Sequence, residues 1–149
     1  MNLTDTIGMV LQEKGQNIWS LDPEALVYDA IELMANKHVG ALLVIAGGKL
    51  IGIISERDYA RKVILQERSS RETRVKEIMT SPVIVVRPNH TVEDCMRFMT
   101  DNRIRHLPVV ENEKVLGVVS IGDLVKWVVS AQAETIHQLQ HYIAGSYPH

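Results

Sequence analysis

One segment of this chain is written twice. Residues 23–63 and 88–128 align without a gap at an offset of 65, and 11 of the 41 positions are identical. The shared residues are Pro23/Pro88, Val27/Val92, Asp29/Asp94, Met34/Met99, Leu42/Leu107, Val44/Val109, Lys49/Lys114, Gly52/Gly117, Ser55/Ser120, Asp58/Asp123 and Val63/Val128. Other core positions exchange one apolar residue for another, as at Ile31/Met96, Leu33/Phe98, Val39/Ile104, Ile53/Val118 and Ile54/Val119. The two copies are therefore expected to form the same supersecondary unit.

Each copy reads as strand–helix–strand–strand–helix. The opening strands are Ile18 to Leu21 and Val83 to Val86. The next helix buries Val27, Ala30, Ile31 and Met34 in one copy and Val92, Cys95, Met96 and Met99 in the other. Both sets are an i, i+3, i+4, i+7 stripe, and Thr91 with Asp94 forms a capping box. Strands Ala41 to Ala46 and Leu50 to Ser55 flank Gly47-Gly48, a two-residue hairpin turn. Leu107 to Val110 and Val115 to Ser120 flank Asn112-Glu113 in the same way. A second helix begins near Asp58 and near Asp123.

Outside the copies, Thr4 to Lys14 predicts a helix that turns Ile7, Val10 and Leu11 inward. A C-terminal helix continues to about Ile143, carrying Ile136 and Leu139. The expected divisions are residues 1–17 (lead-in helix), 18–66 (first repeat), 67–74 (linker), 75–130 (second repeat) and 131–149 (helix and tail). A unit of about 60 residues is marginal alone. The expected architecture is therefore α+β, two copies packed about a pseudo-two-fold with a cleft where their sheets meet.

Composition narrows the function. Lys+Arg number 16 against 18 Asp+Glu, a net charge of −2, and aromatic residues are 5%. That is neither the basic footprint nor the stacking platform of a nucleic-acid binder, and single-stranded RNA is the residual case. No apolar run approaches the roughly 20 residues of a membrane span. The opening MNLTDTIG has neither the basic nor the apolar region of a signal peptide. One cysteine, Cys95, excludes an internal disulfide framework and a cysteine pair for zinc. A reducing, cytoplasmic setting is expected. His137 and His141, four residues apart without acidic or thiol companions, read as a solvated helix face. No nucleophile–base pair or phosphate loop occurs, so no catalysis is expected.

The motif that stands out is GIISERD (52–58), repeated as GVVSIGD (117–123). Ser-x-x-Asp at a strand-to-helix junction is a capping box, which explains the residues structurally. The same helix start offers unpaired N–H groups to an anion.

With these two motifs, RHLPVV (105–110) and EIMTSPVIVVRP (77–88), the chain resembles a tandem pair of CBS (cystathionine β-synthase) domains, a Bateman module of the stand-alone bacterial type. The resemblance spans about Ile7 to Val129. It implies a non-catalytic sensor of adenine nucleotides, AMP first, with ADP, ATP and NAD as alternatives. It also implies a homodimer and a regulated protein partner. Carried over residue by residue, Asp58 and Asp123 accept hydrogen bonds from a ribose 2′,3′-diol, with Ser55 and Ser120 beside the sugar or phosphate. Arg57, Arg103, Arg105 and His106 are the phosphate candidates, since Arg forks match phosphate oxygens. Pro108 follows them in the same strand, and Gly122 allows close backbone approach. Thr80, Ser81, Pro82 and Val83 enter the second copy's first strand; the residues alone read equally as a simple turn with Pro, and the resemblance implies that they wall the adenine and ribose. Their first-copy equivalents Gly15, Gln16, Asn17 and Ile18 match less well, as do His38, Gly40 and Ala41 opposite Arg103, Arg105 and His106. Because Arg57 faces Gly122, and Gly40-Ala41 face Arg105-His106, the two sites are expected to be unequal. The rival to a sensor is an interaction protein whose two sites are vestigial.

Overall fold

The computed structural model describes residues 2–15 and 17–146. Gln16 lies outside it, as do the side chains at 131–136, 138 and 141–146, and with them Ile136, His141 and Ile143 of the expected tail face. The elements in chain order are α1 (Ile7–Lys14), β1 (Ser20–Leu21), α2 (Val27–Lys37), β2 (Ala41–Ala46), β3 (Lys49–Ser55), α3 (Glu56–Tyr59), a π-helical turn (Ala60–Ile64), α4 (Val75–Ile78), α5 (Val92–Asn102), β4 (His106–Glu111), β5 (Lys114–Ser120) and α6 (Ile121–Ser146).

The duplication is visible residue by residue. β2 and β3 are antiparallel, with Ala41 opposite Ser55 and Ala46 opposite Lys49. β4 and β5 repeat this at the same offset, with His106 opposite Ser120 and Glu111 opposite Lys114. Even the register irregularity recurs, at Val44/Ile45 and at Val109/Val110. α2 and α5 both end on a left-handed residue, His38 (φ 55°) and Arg103 (φ 54°), whose N–H returns to the last turn. This is a common C-cap geometry, made here without glycine.

Two compact units result: residues 17–84, and residues 85–149 together with 1–16. In the first, β1 runs parallel to β2 and extends the hairpin to three strands. Its core is Val27, Ala30, Met34, Leu42, Val44, Ile54, Val63, Val75 and Ile78. In the second, α1 packs Ile7, Val10 and Leu11 among Val86, Val92, Cys95, Met99, Leu107, Val109, Val119, Leu124 and Trp127. Burial pushes the Cys95 thiol up to about 12, so it stays protonated.

One expectation is corrected. Val83 to Val86 is not a strand: only Val86 touches a ladder, through one parallel bridge to Val109. Pro82 and Pro88 bracket the segment without N–H donors, and Ile84 and Val85 are exposed. The two compact units meet at 84/85, because the lead-ins are exchanged. α4 binds the first repeat, with Val75 N–H donating to Ala25 C=O at 2.8 Å and Lys76 N–H to Pro23 C=O at 3.0 Å. α1 binds the second, with Ile7 N–H donating to His90 C=O at 2.8 Å and Gly8 N–H to Pro88 C=O at 2.9 Å. The shared glycines mark these seams. A Cβ on Gly52 would lie 2.5 Å from Met79 Sδ, and one on Gly117 would lie 2.9 Å from Leu11 Cδ2. The repeat keeps glycine where another segment must lie flat on the strand.

Candidate functional site

Each repeat turns from its last strand into a helix at the same seven residues, and the turn is built by one carboxylate. Ser55 closes β3 and caps α3: its hydroxyl accepts from Asp58 N–H at 3.2 Å, and Asp58 Oδ2 accepts from Ser55 N–H at 3.0 Å. In the second repeat Ser120 Oγ accepts from Asp123 N–H at 3.1 Å, while Asp123 Oδ2 accepts from Ser120 N–H at 2.8 Å. The preceding loop closes the turn from the other side. Glu56 N–H donates to Gly40 C=O at 3.0 Å, and Ile121 N–H donates to Arg105 C=O at 2.8 Å. Residues 40 and 105 are thereby pinned beside the two caps.

The repeats differ in what else reaches the carboxylate. Asp58 Oδ1 accepts from Thr80 Oγ1 at 3.2 Å and pairs with Lys62 Nζ at 3.1 Å. Lys62 also donates to Ile78 C=O at 2.9 Å. Asp123 Oδ2 takes Lys14 Nζ at 2.6 Å, and the same ammonium donates to Val118 C=O at 2.7 Å. Burial by itself raises Asp123, but Lys14 and the Ser120 hydrogen bonds outweigh it and hold the carboxyl below the usual range. It is an anion at neutral pH with one ammonium already seated on it.

His106 sits opposite Ser120 at the start of β4. Burial foremost, then the positive charges of Lys14 and Arg105, lower its pKa, while Asp123 pulls it up. His106, Arg105, Ser120, Gly122, Asp123 and Lys14 thus form one polar corner in the second unit. Ala41, Ser55, Asp58, Lys62 and Thr80 form its counterpart in the first.

Thr80 and Ser81 are the principal revision. They do not open a second-copy strand: Thr80 bridges Ile53, and Ser81 Oγ donates to Ile51 C=O at 2.8 Å. Both pack on β3 of the first unit, Thr80 within reach of Asp58, and are followed by a cis Ser81–Pro82 peptide and half-buried Val83. Arg57 is exposed on α3 and Gly122 on the first turn of α6. His38 and Arg103 are the exposed helix caps, Asn17 and Ile18 lead into β1, and Pro108 is buried in β4, its carbonyl accepting from Val86 N–H at 3.0 Å. Sequence reasoning missed Lys14 and Lys62. Lys62 was detectable as an i, i+4 partner of Asp58; Lys14 stands 109 residues from Asp123 and carried no such signal.

Among the described residues no three His, Cys, Asp or Glu side chains converge on a metal position. No described helix is long and apolar enough to cross a membrane.

Comparison with known proteins gives consistent results. A family model described as the CBS domain matches residues 15–65 and again 75–130. The chain is 44% identical over 152 residues to the mitochondrial CBS domain-containing protein CBSX3 of Arabidopsis thaliana, covering 95% of this chain and 73% of that protein. A putative signal-transduction protein with CBS domains from Burkholderia ambifaria superposes with a TM-score of 0.82 at 51% identity, covering 85% of this chain and 96% of the other. The CBS domain pair of protein MJ0100, solved with 5-methylthioadenosine and S-adenosyl-L-methionine, shares the fold at a TM-score of 0.76 and 22% identity, over 86% of this chain and 98% of that one.

Proposed function

The chain belongs to the CBS-domain family, of which it carries two copies, and from that footing we propose that it is a non-catalytic regulatory module that binds adenine nucleotides at Asp58 and Asp123. AMP is the favoured ligand, ahead of ADP, ATP and NAD. The observation that carries this reading is the pair of carboxylates, each held by its own capping box at the mouth of a helix. A carboxylate can accept from both hydroxyls of a ribose, and hydrogen bonds to a charged group contribute roughly 1.5–3 kcal/mol each. At the second corner Arg105 and His106 supply phosphate donors; at the first, Thr80 and Arg57 stand in their place. The complex of MJ0100 with two adenosine-containing ligands supports the choice of nucleoside. The module is proposed to act as a homodimer in the cytoplasm, reporting nucleotide levels to a protein partner.

The test is titration calorimetry with AMP and 2′-deoxy-AMP. Wild type should prefer AMP, and Asp123→Asn should weaken AMP by about 2 kcal/mol while leaving the capping geometry nearly intact. Asp58→Asn should do the same at the other site. Equal affinity of the wild type for the two nucleotides would exclude recognition of the diol.

A further inference from the structure

The two ribose-type carboxylates share a feature that the duplication does not explain. Each is met by a lysine ammonium that also donates to a backbone carbonyl: Lys62 on Asp58 and Ile78 C=O, Lys14 on Asp123 and Val118 C=O. These lysines are not repeat equivalents. At the offset of 65, Lys62 corresponds to Trp127, and Lys14 corresponds to Met79. Trp127 instead donates its indole N–H to Asp5 at 3.1 Å, and Met79 lies on Gly52. Two unrelated positions, one on a π-helical turn and one at the end of α1, deliver the same charge to the same place.

We propose that Lys14 is a tethered guard on Asp123, seated where a ribose hydroxyl would donate, so that a nucleoside must displace it to bind. Lys62 plays the same part at Asp58. This rests on the reading of Asp123 as the acceptor of a ribose diol. An ammonium at 2.6 Å on Oδ2 occupies one of the two oxygens a diol needs, and Ser120 N–H already donates to that same oxygen. Lys14 is 39% exposed, so its head can move into water without a large desolvation change. Its release also frees the last turn of α1, which the ammonium ties to β5 through Val118. Guard removal therefore has two readouts, nucleoside affinity and the order of the α1 terminus.

The experiment uses the full chain and adenosine, which has a diol but no phosphate for a freed lysine to bind. Calorimetry compares wild type, Lys14→Met, Lys14→Gln and Asp123→Asn. Lys14→Met installs the residue found at the equivalent first-repeat position, and Lys14→Gln keeps a donor for Val118 while removing the charge. Both should bind adenosine roughly two- to fivefold more tightly than wild type, the range expected for losing an exposed ion pair. Adenosine should also speed amide hydrogen exchange at the end of α1 in wild type and not in Lys14→Met. Unchanged or weaker binding by both Lys14 variants, with Asp123→Asn still impaired, would overturn the guard and leave the ribose site standing. Binding indifferent to Asp123→Asn, or binding by none of the proteins, would overturn the ribose site itself and the guard with it.

Discussion

His106 is the residue whose chemistry the fold changes most directly. Burial, Lys14 and Arg105 hold its imidazole below the ordinary value near 6.5, against the pull of Asp123. The unfolded chain therefore takes up a proton at this position before the folded one does. Stability is unaffected by His106 above about pH 6.5 and falls as the pH drops from there through the folded value, with a slope of at most about 1.4 kcal/mol per pH unit. Urea melts of wild type and His106→Gln between pH 7.5 and 5 should show the wild-type advantage shrinking toward acid; a difference constant with pH would contradict this placement of the ring. A bound phosphate works in the opposite direction by favouring the imidazolium. At this scale the sequence was legible wherever the partner is local. Ser55 with Asp58 and Ser120 with Asp123 are three residues apart and follow from capping chemistry. Lys14 was not legible, because its pairing with Asp123 depends on how a distant helix docks.

The hairpins are the elements most fully specified by local sequence. Gly47-Gly48 adopts positive φ at both positions, and so does Asn112-Glu113 without any glycine. The expected strand limits of 41–46 and 107–110 agree with the observed ones to within a residue. Helices after the two capping boxes diverge although both boxes use the same Ser and Asp. α3 stops after one turn and widens into the π-helical Ala60–Ile64, whereas α6 continues for 26 residues. No period in the sequence marks that difference; in the structure the π-helical turn carries Lys62, which reaches back to Asp58 and Ile78. α6 also presents Val125, Val129 and Leu139 to solvent, at 48%, 55% and 57% exposure. Valines four residues apart on one helix face form a surface suited to an isologous contact. Light scattering at micromolar concentration should report a mass near twice that of the chain, and Val125→Glu with Val129→Glu should reduce it to one. A wild-type monomer would remove α6 as a dimer contact.

For the molecule as a whole, the duplication was legible and the exchange of lead-ins was not. Periodicity shows that Thr4 to Lys14 has an apolar face, but nothing local says which repeat will cover it. The answer lies in Leu11 meeting Gly117, a contact across more than a hundred residues. Cutting the chain at the linker should therefore not yield two equivalent domains. A fragment of residues 75–149 lacks Ile7, Val10 and Leu11, each buried to within 3%. At roughly 1.5–3 kcal/mol per buried aliphatic side chain, their loss is comparable to the whole stability of a small domain. Urea melts followed by Trp127 fluorescence should show a weak, broad transition for residues 75–149. Addition of a peptide of residues 1–16 should sharpen it. A cooperative transition without the peptide, unmoved by its addition, would argue that α1 is dispensable.

The same exchange sets an order of events during synthesis. The first unit, residues 17–84, can close once its own chain has cleared the ribosome. α1 leaves before it, yet its surroundings include Val119, Leu124 and Trp127, more than a hundred residues downstream. At about 5–20 residues per second, the apolar face of α1 waits on the order of ten seconds for its partner. During that interval it is a short apolar-faced segment, too short to hold a helix alone and with nowhere native to dock, and so open to chaperones or to another nascent copy.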